Sequence, residues 1–254
     1  AAKKWLRPFV GGEELINGAR RWCLWLKEAS PSDLKAMPEV MKRVRAVAAS
    51  RKKSPTKSVQ EFAAYPTLFT QDRQPTRRYI ALPEVSSENR QFIPINFLEP
   101  NIIASNKLQI VECGTLYHFG ILCSTMHNAW MRTVAGRLKS DYSYSPSVYN
   151  NFPWPDSTSD AFKQKIETAA QAVLDARMEF PDSSLADLYD PLTMPPVLVK
   201  AHQKLDAAVD AAYGKRTFKS DAERVAFLFE LYQQYTSLLP VESVKSKRRL
   251  AKKA

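Results

Sequence analysis

Residues 137–155 read RLKSDYSYSPSVYNNFPWP, a stretch dense in charge, aromatic rings and proline. It follows STMHNAWMRTVAGRL, residues 124–138, whose apolar spacing predicts an amphipathic helix. Ser124 or Thr125 would be its N-cap, His127, Trp130 or Met131, and Val134 its buried stripe, and Gly136 its end. The charged head of the stretch is therefore read as a loop after a helix, leading into a short strand around SVYNNF. The last two of its three prolines, Pro153 and Pro155, fall where the texture of the chain changes. What lies on either side of them decides the fold.

Downstream the chain is helical. SDAFKQKIETAAQAVLDARMEF (159–180) places Phe162, Ile166, Ala169, Val173 and Ala176 on one face. Two more helices follow a proline-bounded connector, PDSSLADLYDPLTMPP: VLVKAHQKLDAAVDAAYG, closed by Gly214, and SDAERVAFLFELYQQYTSLL, opened by Ser220-Asp221. Upstream the chain mixes strands and helices. PFVGGEELINGARRWCLWL (8–26) reads as a hairpin turning at Asn17-Gly18, the favoured dipeptide of a type I′ turn. Pro31-Ser32-Asp33 caps a helix that Pro38 restarts through EVMKRVRAVAASRKK. KLQIVEC and TLYHFGILC read as a second antiparallel pair around Gly114. The expected class is α+β: an antiparallel-sheet domain over 1–155, an all-helical domain over 156–245, and a disordered basic tail over 246–254.

Composition narrows the function. Three cysteines, an odd and scattered set, argue against a disulfide framework and for a reducing cytoplasm. No apolar run approaches the roughly 18 residues of a membrane span, and no signal peptide opens the chain, whose abrupt start suggests a piece of something larger. The net charge of +11 is lopsided: residues 1–155 hold 22 Lys and Arg against 12 Asp and Glu, while 156–254 hold 15 against 14. A basic domain beside a near-neutral one implies a polyanionic partner. Lys42, Arg43, Arg45, Arg51, Lys52, Lys53 and Lys57 occur with no acidic residue between them, a candidate phosphate rail on a helix end. A solvated basic helix face is the alternative. Arg77, Arg78 and Lys107 are further candidate contacts.

Catalytic chemistry finds no support in the motifs. Asn151-Phe152-Pro153-Trp154 has the outline of the Asn-Pro-Pro-aromatic turn of amino-methyltransferases, but Phe152 stands where the first proline should be. No glycine-rich turn is present to hold S-adenosylmethionine. Cys113, His118, Cys123 and His127 have a superficially zinc-like spacing, yet no Cys-x2-Cys knuckle accompanies them, and they read as core and surface residues. No nucleophile–base set or two-metal cluster is visible. What remains is recognition: Lys139 and Asp141 flank Ser140, three candidate base-reading residues, with Arg137 and Tyr142 as candidate additional contacts and Tyr144 nearby. A lysine donates to guanine O6 and N7 and an aspartate accepts from cytosine N4, so the pair can read both halves of a G·C pair. On spacing alone, a surface ion pair worth under about 1 kcal/mol is the simpler reading.

Five collinear stretches, RPFVGGEELINGARRWCLWL, VSSENRQFIPINFL, LYHFGILCSTMHNAWMR, GRLKSDYSYSPSVYNNFPWP and DSSLADLYDPLTMPP, resemble the C-terminal part of MmeI-like Type IIL restriction–modification enzymes. These proteins join a nuclease, an adenine methyltransferase and a DNA target recognition domain in one polypeptide. The resemblance implies that Lys139 and Asp141 occupy the base-specifying positions, and it turns the balance at those residues towards reading G. It implies double-stranded DNA and the methyltransferase and nuclease domains of the same polypeptide as partners. S-adenosylmethionine and Mg²⁺ are implied for the whole enzyme, with no catalytic residue, cofactor or metal site in this chain. A free-standing specificity subunit and a sequence-indifferent nucleic-acid-binding protein are the alternative classes.

Overall fold

The computed structural model describes residues 1–155, 159–214 and 217–237; the expected tail at 246–254 lies outside them. Strand β1 (Leu6–Val10), helix α1 (Gly12–Asn17), β2 (Trp22–Leu24), α2 (Pro31–Lys35), α3 (Pro38–Lys52) and α4 (Lys57–Glu61) come first. The short strands β3 (Tyr79–Pro83), β4 (Val85–Ser86), β5 (Asn96–Leu98), β6 (Ile103–Ala104) and β7 (Leu108–Val111) follow. Then come α5 (Leu116–Cys123), α6 (Thr125–Val134), β8 (Gly136–Leu138), β9 (Asp141–Ser143) and α7 (Pro146–Asn150). Helices α8 (Asp160–Met178), α9 (Leu185–Leu188), α10 (Pro196–Ala212) and α11 (Asp221–Thr236) complete the described chain. The strands form three small sheets, ordered β2-β1-β6, β5-β3-β7 and β4-β9-β8. β1 with β2, β3 with β5 and β7, and β8 with β9 pair antiparallel, and β1 with β6 pairs parallel. The α+β class with a helical C-terminal region holds.

Packing divides the chain into two units. One comprises residues 1–85, 94–115 and 182–190, the other 86–93, 116–181 and the chain from 191 on. In the first, one apolar cluster gathers Leu15, Tyr79, Ala81, Leu98 and Leu108 with Leu185 against it, and a second gathers Leu26, Met37, Val40 and Val44. In the second, α5 is buried among helices. A side chain on Gly120 would place its Cβ 2.8 Å from Ile166 and 3.1 Å from Ala170, so only glycine lets α8 approach this closely. Trp130 of α6 is 2% exposed, packed on Phe152, Phe229 and Tyr232, with its Nε1 donating to the Val148 carbonyl at 3.1 Å.

Four local expectations are corrected. β1 and β2 do pair, Leu6 with Leu24 and Pro8 with Trp22, but Asn17-Gly18 makes no tight turn between them. Gly18, at φ 70°, is instead the left-handed C-cap of α1, its N–H donating to the Glu14 carbonyl. The glutamates in the first turn and buried Leu15 and Ile16 favour a helix there. Second, TLYHFGILC is helix α5, because a short, largely apolar run fits a buried helix as well as a strand. Third, SVYNNF contributes to α7, whose first turn is preset by Pro146. Fourth, the head of 137–155 is a β-hairpin, β8 and β9, and Ala135 caps α6 in place of Gly136.

Candidate nucleic-acid interface

The hairpin starts directly from α6. Its register pairs Gly136 with Ser143, Arg137 with Tyr142 and Leu138 with Asp141, leaving Lys139-Ser140 as a two-residue turn. Lys139 has φ 57°, a left-handed conformation that costs a side-chain-bearing residue roughly 1–2 kcal/mol. Backbone strain of this kind persists only where surrounding contacts enforce it, and it concentrates at functional positions. Those contacts are visible. The register puts Arg137 and Tyr142 on one face, and the guanidinium lies over the buried ring at 3.8 Å, with Arg132 over the same ring at 5.3 Å. Arg137 Nη1 donates to the Ser140 carbonyl at 2.5 Å and pairs with Glu88 Oε2 at 3.3 Å.

The tip is therefore exposed and its base is fastened. Leu138, 57% exposed, and Lys139 and Ser140 face solvent, while Asp141 is half-buried. Asp141 Oδ1 accepts the Glu88 main-chain N–H at 3.3 Å, and a carboxylate retains acceptor capacity beyond one such bond. A three-proton donor and an acceptor thus stand on either side of Ser140. Arg137 and Tyr142, candidate additional contacts in the sequence, also support the turn through the stacked guanidinium and ring. Glu88 and Arg132 were not singled out from the sequence. No local signal ties a residue in the 86–93 segment to a hairpin some 50 positions later.

The other predicted cations sit in the first unit. Arg43, Arg45, Lys52, Lys53 and Lys57 are exposed on or just beyond α3. Lys42 pairs with Glu39 at 2.7 Å, both side chains well exposed. Arg51 differs: its guanidinium donates to the carbonyls of Phe62, Tyr65 and Leu68 at 3.1, 2.9 and 2.7 Å, locking the chain after α4. Arg77 is exposed, Arg78 covers the Phe97 ring at 4.2 Å and pairs with Glu99 at 3.5 Å, and Lys107 pairs with Glu84 at 3.1 Å.

The catalytic lookalike and the zinc-like spacing are explained by packing. Phe152 meets His127 edge-on at 4.6 Å, and Trp154 meets Phe152 at 5.5 Å. The carbonyls of Pro153 and Trp154 accept bonds from the hydroxyls of Tyr213 and Tyr235 at 2.9 and 3.1 Å. His127 Nε2 lies 2.9 Å from the Tyr144 hydroxyl, and burial holds its pKa down at about 3. Burial likewise pushes the Cys123 thiol up to about 12, so it is not poised as a nucleophile. Among the described residues no group of three or more His, Cys, Asp or Glu is placed to hold a metal ion. No helix among them is long and apolar enough to cross a membrane.

Comparison with known proteins agrees with this geometry. A family model described as the MmeI target recognition domain matches residues 1–156, and one for the MmeI C-terminal domain matches 158–240. DNA methyltransferase A of Bacillus subtilis (strain 168) is 41% identical over 233 residues, 91% of this chain and 26% of that protein. A solved structure described as the Type IIL restriction–modification enzyme MmeI in complex with DNA superposes with a TM-score of 0.90 at 50% identity. It covers 93% of this chain and 32% of its own. The chain spans about a quarter to a third of the relatives it matches. The exposed, strained hairpin on a helical base thus lies within a target recognition domain followed directly by its C-terminal partner, and the chain belongs to the MmeI family.

Proposed function

We propose that this chain recognises a sequence in double-stranded DNA on behalf of a restriction–modification adenine methyltransferase. The observation that carries the reading is the exposed Lys139-Ser140 turn, with Lys139 left-handed and half-buried Asp141 beside it, within a target recognition domain. A two-stranded β-ribbon fits the major groove, where Lys139 would donate to guanine and Asp141 accept from the paired cytosine. Exposed cations of α3 and its continuation, Arg43, Arg45, Lys52, Lys53 and Lys57, with Arg77, would hold phosphates. Recognition would bring the target adenine to a methyltransferase portion of the same polypeptide, which takes a base out of the stack to act on it. S-adenosylmethionine and Mg²⁺ would serve the catalytic portions of such an enzyme.

Selection of bound duplexes from a randomised pool, at two salt concentrations, tests this. The expected result is an enriched site containing a G·C pair whose preference disappears when Lys139 and Asp141 are exchanged for each other, with affinity falling steeply as salt rises. Salt-sensitive binding without enrichment would leave only a sequence-indifferent DNA binder and overturn the proposal.

A further inference from the structure

We infer that Glu88 and Arg137 are specificity-positioning residues: they touch no base themselves and set where the Lys139–Asp141 turn presents its donor and acceptor. The inference rests on the reading of the turn proposed above. Glu88 holds the hairpin at two points. Its main-chain N–H donates to Asp141 Oδ1 at 3.3 Å, and its carboxylate Oε2 meets Arg137 Nη1 at 3.3 Å. The same Nη1 donates to the Ser140 carbonyl at 2.5 Å, across the turn. The Arg137 plane rests on Tyr142, whose ring Arg132 also covers, while Arg132 donates to the Arg90 carbonyl. Residues 88–90 therefore grip both ends of the turn through one guanidinium, one carboxylate and one ring.

Magnitudes separate positioning from stability here. The Glu88–Arg137 pair is 43% and 46% exposed, and an exposed pair of this kind adds little to folding. A hairpin with three-residue strands has little rigidity of its own. Base readout, however, needs donor and acceptor held within about 0.5 Å and 10–20°. The planar, forked guanidinium can stack, pair and bond the Ser140 carbonyl together, which an ammonium cannot do. The pair's effect thus falls on discrimination more than on folding.

Duplex selection with Glu88→Gln and Arg137→Lys, alongside the unsubstituted chain, tests the inference. Glu88→Gln keeps the main-chain bond to Asp141 and removes the carboxylate, while Arg137→Lys keeps the charge and removes the fork. In both, preference at the one base pair read by Lys139 and Asp141 should fall about five-fold or more, as for loss of one well-made base contact. Preferences at other positions and the thermal midpoint should stay as in the unsubstituted chain. Unchanged discrimination, in a chain whose preference still depends on Lys139 and Asp141, would overturn the positioning role and leave the proposed function intact. A drop shared by every position, or matched by a lowered midpoint, would also overturn it, showing a structural role only. An unsubstituted chain with no preference would remove both.

Discussion

At the scale of single residues, Lys139 sets stability against use. Its left-handed φ of 57° is a conformation that glycine adopts freely. Lys139→Gly should therefore raise the unfolding free energy by up to about 1 kcal/mol in denaturant titration. The same substitution removes the ammonium, so site preference should collapse at one base pair. A destabilised Lys139→Gly chain would contradict the strain assigned here. The sequence offers Lys139 and Asp141 as a candidate pair, from donor and acceptor chemistry sharpened by resemblance. The strain was not legible, because nothing in Leu-Lys-Ser-Asp advertises a positive φ as Asn-Gly does. The brace from Glu88 was not legible either, since VSSENRQ carries no mark of what folds against it. Arg51 shows the opposite failure: within a run of cations it looks like its neighbours, yet it faces three carbonyls and they face solvent.

At the scale of elements, α6 and α10 carry buried titratable groups with opposed pH dependence. His127 on α6 and His202 on α10 are held near pKa 3, by burial in both cases and by the Arg177 charge in the second. Their folded pKa values lie below the unfolded 6.5, so their stabilisation is present above 6.5 and is lost as pH falls towards 3. Asp206 on α10 accepts from the Thr125 N–H and hydroxyl at the start of α6, at 2.7 and 2.6 Å, and burial raises it to about 6. Raised above its unfolded value, Asp206 contributes stability below pH 3.8 that is lost as pH rises through 6. Between pH 7 and 5 each histidine costs about 2 kcal/mol and Asp206 returns about 1 kcal/mol. Chemical denaturation should therefore show a net loss of stability over that range. Asp206→Asn should be more stable at pH 7 and fall more steeply on acidification; a flatter profile would refute the assignment. The long helices α8, α10 and α11 were legible from their period, α8 and α11 also from their N-cap serines. Helix α5 and the 136–143 hairpin were not, because an eight-residue apolar run suits two structures and a turn without glycine or asparagine gives no signal.

At the scale of the whole molecule, the 136–143 hairpin belongs by packing to the second unit, with helices α8, α10 and α11. Its parent helix α6 packs through Trp130 on Phe229 and Tyr232 of α11 and receives Asp206 of α10. A fragment ending at residue 156 contains the whole matched target recognition domain and none of these partners. In such a fragment the amides of residues 136–144 should lose their protection from hydrogen exchange, whereas the full chain protects them. Protection retained in the fragment would show that the helices are dispensable to the hairpin. This dependence was invisible in the sequence, where the prolines near 155 look like a simple border between textures.

The path of the chain between the two packing units has a consequence for biosynthesis. The chain passes from one to the other after residues 85, 93, 115, 181 and 190. Leu185, on the short helix α9, packs against a cluster otherwise built from the first 110 residues. A chain emerging from the ribosome cannot complete that core until α9 has cleared the exit tunnel, after most of α5, α6 and α8. The first unit must then wait for the segment at 182–190, the last of its parts to be made.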